Sequence, residues 1–176
     1  MKRVVLTFGL IAGAALSAMM VATAPFMDQI GFDYGAVVGY TSMVLGFLLV
    51  YFGIRSYRDN VGGGAITFGR GTAIGLSIVA IASVCYVATW EVVSHTMLKD
   101  FAERYAAHAM DAARRAGATA AELAKQEQDL AAFKTMYANP IARYALTFVE
   151  PLPVGILMTL VSAGLLRRGQ RREAAA

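Results

Sequence analysis

The sequence has little with which to build a metal centre or a covalent crosslink. It contains one cysteine, Cys85, and two histidines, His95 and His108, among 176 residues. A single thiol excludes an intrachain disulfide and a thiolate metal cluster. The chain also lacks a nucleophile elbow, a metalloprotease helix motif and a dinucleotide-binding fingerprint. We therefore expect no catalytic residues, no metal and no cofactor, and we predict that the protein is not an enzyme.

Charged residues are also scarce. They make up 16% of the chain, whereas hydrophobic residues reach 57% and the mean hydropathy is +0.53. This apolar content exceeds what a soluble domain of similar size normally carries, so part of the surface is expected to contact lipid. The sequence predicts a single integral membrane domain over residues 1–176.

Four apolar stretches are long enough to cross a bilayer, which takes about 20 residues in a helix. They lie at about 4–27, 34–54, 71–92 and 146–166. The first could instead be a signal peptide, because Ala22-Thr23-Ala24 resembles a cleavage site. Pro25, at the first residue of a would-be mature chain, argues against cleavage. The predicted fold is therefore all-α, with four transmembrane helices.

Basic residues in the short loops predict the orientation. Lys2 and Arg3 precede the first span, and further arginines follow the second and fourth spans: Arg55, Arg58, Arg70, Arg167, Arg168, Arg171 and Arg172. Basic residues beside a span favour the cytoplasmic side. The pattern predicts a multi-pass protein of the bacterial inner membrane with both termini in the cytoplasm. These arginines are expected to contact lipid headgroups, and no nucleic-acid partner is expected.

The segment between spans three and four mixes basic and acidic residues and is predicted to lie outside the membrane. Its first helix is expected to continue from span three to about Arg115 and to break at Gly117. The second is expected to begin near Thr119, where Thr119 and Glu122 form a capping-box pattern, and to end at Asn139-Pro140. The sequence thus predicts an external helical hairpin over about 93–140.

Three ionisable residues lie in or beside the spans and could form an intramembrane polar site. Glu91 and His95 are four residues apart, so they can touch on one helix face, and Glu150 could approach them. Pro151 and Pro153 withhold backbone donors and can kink span four beside Glu150. An ionisable group inside a membrane is a functional-site hypothesis. The structural alternative is that each carboxylate only hydrogen-bonds neighbouring Tyr or Ser side chains.

Small residues at four-residue spacing occur in three spans. The pairs are Gly9 with Gly13, Gly35 with Gly39, and Gly71 with Gly75. Such pairs let helix backbones approach closely. They could pack the monomer or form a dimer.

An ordered set of motifs resembles a known family. It comprises the stretch 52–59, Thr67-Phe68-Gly69, Trp90-Glu91 four residues after Tyr86, Asn139-Pro140, and the region 148–155 around Glu150. These motifs resemble the bacterial DUF4199 family of small multi-span membrane proteins of unknown function. The resemblance covers nearly the whole chain and implies the same membrane fold. It implies no activity, cofactor or catalytic residue.

The leading functional hypothesis is a non-enzymatic structural or interaction component that binds a membrane protein partner or a second copy of the chain. The alternative is a small oligomeric transporter or proton-coupled permease that uses Glu150. A membrane enzyme that uses Glu91, His95 and Glu150 ranks last.

Overall fold

The computed structural model describes residues 1–167, and within them the chain folds into seven α-helices with no β-strand. The helices are α1 (Lys2–Thr23), α2 (Met27–Asn60), α3 (Phe68–Thr96), α4 (Phe101–Arg115), α5 (Ala120–Ala138), α6 (Pro140–Val149) and α7 (Leu152–Leu166). The all-helical prediction is confirmed for these residues. Arg168, Arg171 and Arg172 lie outside the described part of the chain.

The helices α1 and α2 fold back on each other. A short 3₁₀ turn at Ala24–Phe26 separates them, and Gly31, whose φ is +72°, kinks α2 near its start. A methyl group added at Gly46 would lie 2.7 Å from Leu16, and one added at Gly53 would lie 3.2 Å from Phe8. Later residues of α2 thus meet earlier residues of α1, so the two helices run antiparallel.

Three helical segments are long and apolar enough to cross a membrane. They are Lys2–Asn60, Phe68–Thr96 and Pro140–Leu166. The first contains both α1 and α2 and therefore covers the two predicted spans at 4–27 and 34–54. The other two contain the predicted spans at 71–92 and 146–166.

Glycines bring α3 close to α1 and α7. A methyl group added at Gly13 would lie 2.6 Å from Cys85 Cβ, and one at Gly75 would lie 2.5 Å from Thr159 Cγ2. Gly9 and Gly71 make similar close approaches, to Ile81 and Ala163. Two of the three predicted small-residue pairs therefore pack helices within the monomer. The large side chains of the core surround these contacts: Met43, Phe47, Val50, Ile54, Ile74, Ile78 and Val79.

Helix α3 ends at Thr96, so the prediction that it continues to Arg115 is wrong. The amides of Met97 and Leu98 both donate to the Val93 carbonyl, at 2.8 and 3.0 Å, and this closes the helix. Leu98 then packs with Ala24 and Val93 in a second, smaller apolar cluster. Burial of Leu98 outweighs continuation of the helix, which would carry that side chain away from its partners.

Helices α4 and α5 pack against each other in opposite directions. Phe101 contacts Tyr137, with ring centroids 5.9 Å apart, and Tyr105 contacts Phe133 at 5.4 Å. Between the helices, Gly117 has a φ of +78°, which glycine adopts without strain.

The predicted boundaries of α5 are confirmed. The Thr119 hydroxyl accepts from the Glu122 amide, and the Glu122 carboxylate accepts from the Thr119 amide, which completes the capping box. At the other end, the Asn139 side chain accepts from the amides of Ile141 and Ala142 and so caps α6, with Pro140 as its first residue.

The predicted kink in the last apolar segment is confirmed. Helix α6 ends at Val149 and α7 begins at Leu152, with Glu150 and Pro151 between them. Pro151 has no amide hydrogen, so it cannot continue the ladder of α6. The Pro151 ring is fully buried. Glu150 lies beside it at the bend between α6 and α7.

Candidate functional site

A cavity of about 490 Å³ lies between α2 and α6 and extends to α1, α3 and the α4–α5 pair. The cavity forms because α2 packs against α7, whereas α6 packs against α3 and α5. The bend at Glu150 separates these two packing arrangements. Tyr40 and Leu146 line the cavity and are 52% and 39% exposed, so its mouth lies between α2 and α6.

The α2 glycines contribute space to this cavity. Gly35, Ala36 and Gly39 line it, and a methyl group added at Gly39 would meet no atom within 4 Å. The predicted Gly35/Gly39 pair therefore does not pack two helices within the monomer. Because neither glycine has a side chain, α2 occupies less volume where it borders the cavity.

Glu150 is the single charged residue in the cavity lining among the described residues. Its side chain is exposed to the cavity, and no cationic side chain pairs with it in residues 1–167. Tyr86 and Tyr137 line the same cavity as Glu150. The carboxylate therefore shares this cavity with two phenols.

Eight of the other lining residues are aromatic. The cavity is lined by Phe32, Tyr40, Tyr86, Trp90, Phe101, Tyr105, Phe133 and Tyr137. The Trp90 indole donates to the Tyr137 hydroxyl at 2.7 Å and packs edge-on against Phe101. Burial raises the pKa of the Tyr137 phenol, and the Trp90 donor partly opposes that shift. Sequence reasoning did not place Trp90 or Tyr86 in a site, although their four-residue spacing puts both on one helix face.

A partly buried ion pair lies outside this cavity. Arg143 donates to both carboxylate oxygens of Glu91, at 2.7 and 3.1 Å, and to the Tyr137 carbonyl at 3.2 Å. Arg143 is 8% exposed. Sequence reasoning did not single out Arg143, because a partner 52 residues away leaves no local pattern.

The predicted contact between Glu91 and His95 is present, but it is secondary to this ion pair. His95 Nδ1 lies 3.5 Å from a Glu91 carboxylate oxygen and 2.8 Å from the Glu91 carbonyl oxygen. Glu150 does not join these residues, because it lines the cavity between α2 and α6 whereas His95 lines another pocket. Of the two contacts that the sequence suggested, the structure shows the one between Glu91 and His95.

A family model describing proteins of unknown function matches residues 7–168 of this chain. The chain belongs to the DUF4199 family. The predicted resemblance is thus confirmed. A search of curated proteins and a search of solved structures each found no match.

The pocket that contains His95 in this DUF4199 protein is polar. It has a volume of about 500 Å³ and is lined by Lys99, Glu103, Lys134 and Arg143 in addition to His95. Leu98, Phe101 and Tyr137 line both this pocket and the aromatic cavity, so they form the wall between the two. Across residues 1–167, no group of three His, Cys, Asp or Glu side chains is arranged to hold a metal ion.

The predicted lipid-facing arginines of the DUF4199 chain lie at the opposite end of the bundle from Glu91 and Arg143. Arg70 donates to the Tyr57 hydroxyl at 3.2 Å, and Arg58 pairs with Asp59 at 2.7 Å. Arg55 also reaches Asp59, at 3.5 Å, and Arg167 follows the end of α7. The close approach of Gly71 to Ala163 brings the start of α3 to the end of α7, so these arginines form one basic end.

Proposed function

We propose that this protein is a four-span, non-enzymatic protein of the bacterial inner membrane that binds a small amphiphilic molecule in the cavity between α2 and α6. The cavity is the observation that carries the proposal. Its volume of about 490 Å³ falls in the range of small-molecule sites, which are mostly apolar with few polar groups. Eight aromatic side chains and one carboxylate fit that description.

The four-span topology is supported by the antiparallel arrangement of α1 and α2. Helix α1 has 22 residues, or about 33 Å at helical rise, and α2 is longer. Each is long enough to cross a hydrocarbon layer of about 30 Å. The basic end then lies in the cytoplasm with both termini, and the α4–α5 pair lies outside as the external helical hairpin.

This topology can be tested with single cysteines in a Cys85→Ala background. We expect a membrane-impermeant thiol reagent, applied to intact cells, to label a cysteine at exposed Ala131 on α5. A cysteine at Val61, which is 54% exposed and lies between α2 and α3, should react only after the membrane is permeabilised. The reverse pattern would contradict the orientation.

The ligand is proposed to enter sideways from the bilayer. The mouth of the cavity lies between α2 and α6, and the outer faces beside it carry the exposed apolar residues Val37, Val44 and Val149. An amphiphile could therefore reach Glu150 without crossing the external pair of helices. The proposal is non-enzymatic because, among the described residues, no hydrogen bond joins Glu150 to one of the serine or threonine hydroxyls of the lining, those of Thr23, Ser42 and Thr147.

Filling the cavity tests the binding function. Gly39→Leu places a side chain in the cavity, whereas Gly164→Leu on α7 places the same side chain outside it, and neither site has an atom within 4 Å of the added Cβ. Binding can be followed by energy transfer from Trp90, the only tryptophan, to a neutral dansyl-labelled alkyl amphiphile. We expect saturable transfer in the wild type and in Gly164→Leu, and its loss in Gly39→Leu. Equal transfer in all three proteins would contradict the proposal.

A proton-coupled permease is the second candidate, favoured by the position of Glu150 at the bend between α6 and α7. Broken helices with a titratable group line the substrate sites of many transporters. Four spans make a narrow path, so a homodimer is expected for this function. Unchanged solute or proton flux in vesicles containing Glu150→Gln would remove this candidate.

A structural or interaction role with a membrane protein partner remains a proposal as well. It is supported by the exposed surface of the α4–α5 pair and by Ile141, which is 78% exposed at the start of α6. The particle extracted in mild detergent should then contain a stoichiometric foreign subunit. A particle with only this chain, alone or as a homodimer, would contradict that role.

A further inference from the structure

We propose that the cavity between α2 and α6 selects lipophilic organic cations, with the positive centre of the ligand lying against the Glu150 carboxylate. This inference rests on the proposed binding function and names the ligand class of that site. Its starting point is the charge of the lining, which holds one acidic residue and no basic residue among the described residues.

The negative charge of Glu150 is not balanced by the protein nearby. Arg143 lies two helical turns earlier on α6, but its guanidinium is committed to Glu91 and to the Tyr137 carbonyl. Burying an unpaired carboxylate away from water is costly, and a ligand that brings a positive charge removes that cost. A neutral ligand leaves the carboxylate unpaired, and an anionic ligand adds repulsion.

The aromatic lining favours the same ligand class. A cation is attracted to the face of a Trp or Tyr ring within about 6 Å, and such rings are used to recognise quaternary ammonium groups. Tyr86 and Tyr137 line the cavity together with Glu150, and Trp90 lies one turn from Tyr86 on the same face of α3. The Trp90 N–H is already used by Tyr137, so it is not free to donate to an anionic ligand.

The apolar part of the ligand is accommodated by the rest of the cavity. Leu16, Met20, Met27 and Leu146 line it together with the phenylalanines of α2, α4 and α5. Methionine side chains adapt to ligands of different shape. The site is therefore suited to a bulky cation whose charge is spread over a large apolar body, because such a cation loses little hydration when it leaves water.

Two probes of nearly the same size and opposite charge test the inference. Tetraphenylphosphonium and tetraphenylborate are added to the full-length protein in a zwitterionic detergent, and bound probe is measured by equilibrium dialysis. Micelles without protein give the background from partitioning of each probe into detergent. We expect the wild type to bind the phosphonium about tenfold or more tightly than the borate, because opposite charges attract strongly at the low effective dielectric constant of such a site.

The charge-neutral variant Glu150→Gln should lose this preference, whereas Glu127→Gln on the exposed face of α5 should keep it. Equal binding of the two probes by the wild type would overturn the inference without any variant, so a folding defect cannot obscure the result. An unchanged preference in Glu150→Gln would also overturn it.

The neutral dansyl amphiphile separates this inference from the proposed function. If the wild type binds the neutral probe but shows no preference for the phosphonium, the cation inference is overturned and amphiphile binding stands. If the wild type binds neither the neutral probe nor the phosphonium, the binding function itself is overturned. Retained neutral binding by Glu150→Gln shows that the variant is folded.

Discussion

Arg143 holds both oxygens of the Glu91 carboxylate and so ties α6 to α3, 52 residues earlier in the chain. The Arg143 side chain is 10% exposed and that of Glu91 is 29% exposed, so water screens the pair only in part. The planar guanidinium matches the two carboxylate oxygens, which a lysine ammonium cannot do.

Breaking this pair should destabilise the protein. Glu91→Gln leaves the guanidinium without its counter-charge, at an expected loss of about 2–3 kcal/mol. Arg143→Lys should also lower the thermal midpoint, because it keeps the charge but loses the two-point contact. Thermal unfolding in detergent, with Glu127→Gln as the control, checks both variants. A midpoint within error of the wild type in Glu91→Gln would show that the pair contributes nothing.

The two kinds of glycine in the bundle should respond in opposite ways to a methyl group. Gly75→Ala forces Cβ within 2.5 Å of Thr159, a stiff β-branched side chain, so we expect a loss of about 1–3 kcal/mol. Gly39→Ala meets open space and should be neutral or stabilise α2 by up to about 1 kcal/mol. Unfolding midpoints of the two variants give the comparison, and equal losses would contradict the assignment of Gly39 to the cavity wall.

The hydrogen bond between Trp90 and Tyr137 should be visible in fluorescence. Tyr137→Phe removes the acceptor of the only indole, so the emission of Trp90 should shift to shorter wavelength. An unpaired buried N–H also costs about 1–3 kcal/mol. Tyr34→Phe makes the same chemical change on a ring that is 74% exposed and should leave the spectrum unchanged. Identical spectra for wild type and Tyr137→Phe would count against the bond.

The Glu122 carboxyl, in the capping box at the start of α5, should titrate at a lower pH than an ordinary glutamate. The hydrogen bonds from the Thr119 amide and hydroxyl lower the pKa of the Glu122 carboxyl. Because the folded pKa is depressed, the cap stabilises the helix above the unfolded value of about 4.3 and is lost as the pH falls through the folded value.

The Thr119 amide shift in NMR spectra, followed from neutral to acidic pH, should therefore show a midpoint below about 4.3. In Glu122→Gln this titration should disappear, since no carboxyl remains. A midpoint at or above 4.3 in the wild type would mean that the cap does not favour the charged form.

Local patterns were enough to predict the helices that carry the site. The capping box at Thr119, the Asn139-Pro140 boundary and the bend at Pro151 each depend on neighbouring residues and hydrogen-bonding groups within one turn. Their positions therefore follow from the sequence alone. Glu150 was singled out for the same reason, as a carboxylate inside an apolar run.

The contacts that complete the site depend on distant residues and could not be predicted. Helix α3 ends at Thr96 because Leu98 finds a pocket beside Ala24, far away in the sequence. Glu91 was assigned to His95, four residues later on the same helix face, whereas Arg143 offers two stronger hydrogen bonds from another helix. Gly35 and Gly39 of α2 show the spacing of a helix-packing motif. Whether a helix packs beside them depends on the position of α6, which is distant in the sequence.

The aromatic contacts of α4 have a consequence for biosynthesis. Helices α4 and α5 bury few side chains, namely Ala102, Ala106 and Leu130. The ring of Phe101 on α4 packs against Phe32 of α2 and Trp90 of α3. A nascent chain emerges amino terminus first, so these two supports are made before the helices that need them. Arg143 is synthesised later, so its ion pair with Glu91 forms only when the last helices are in place.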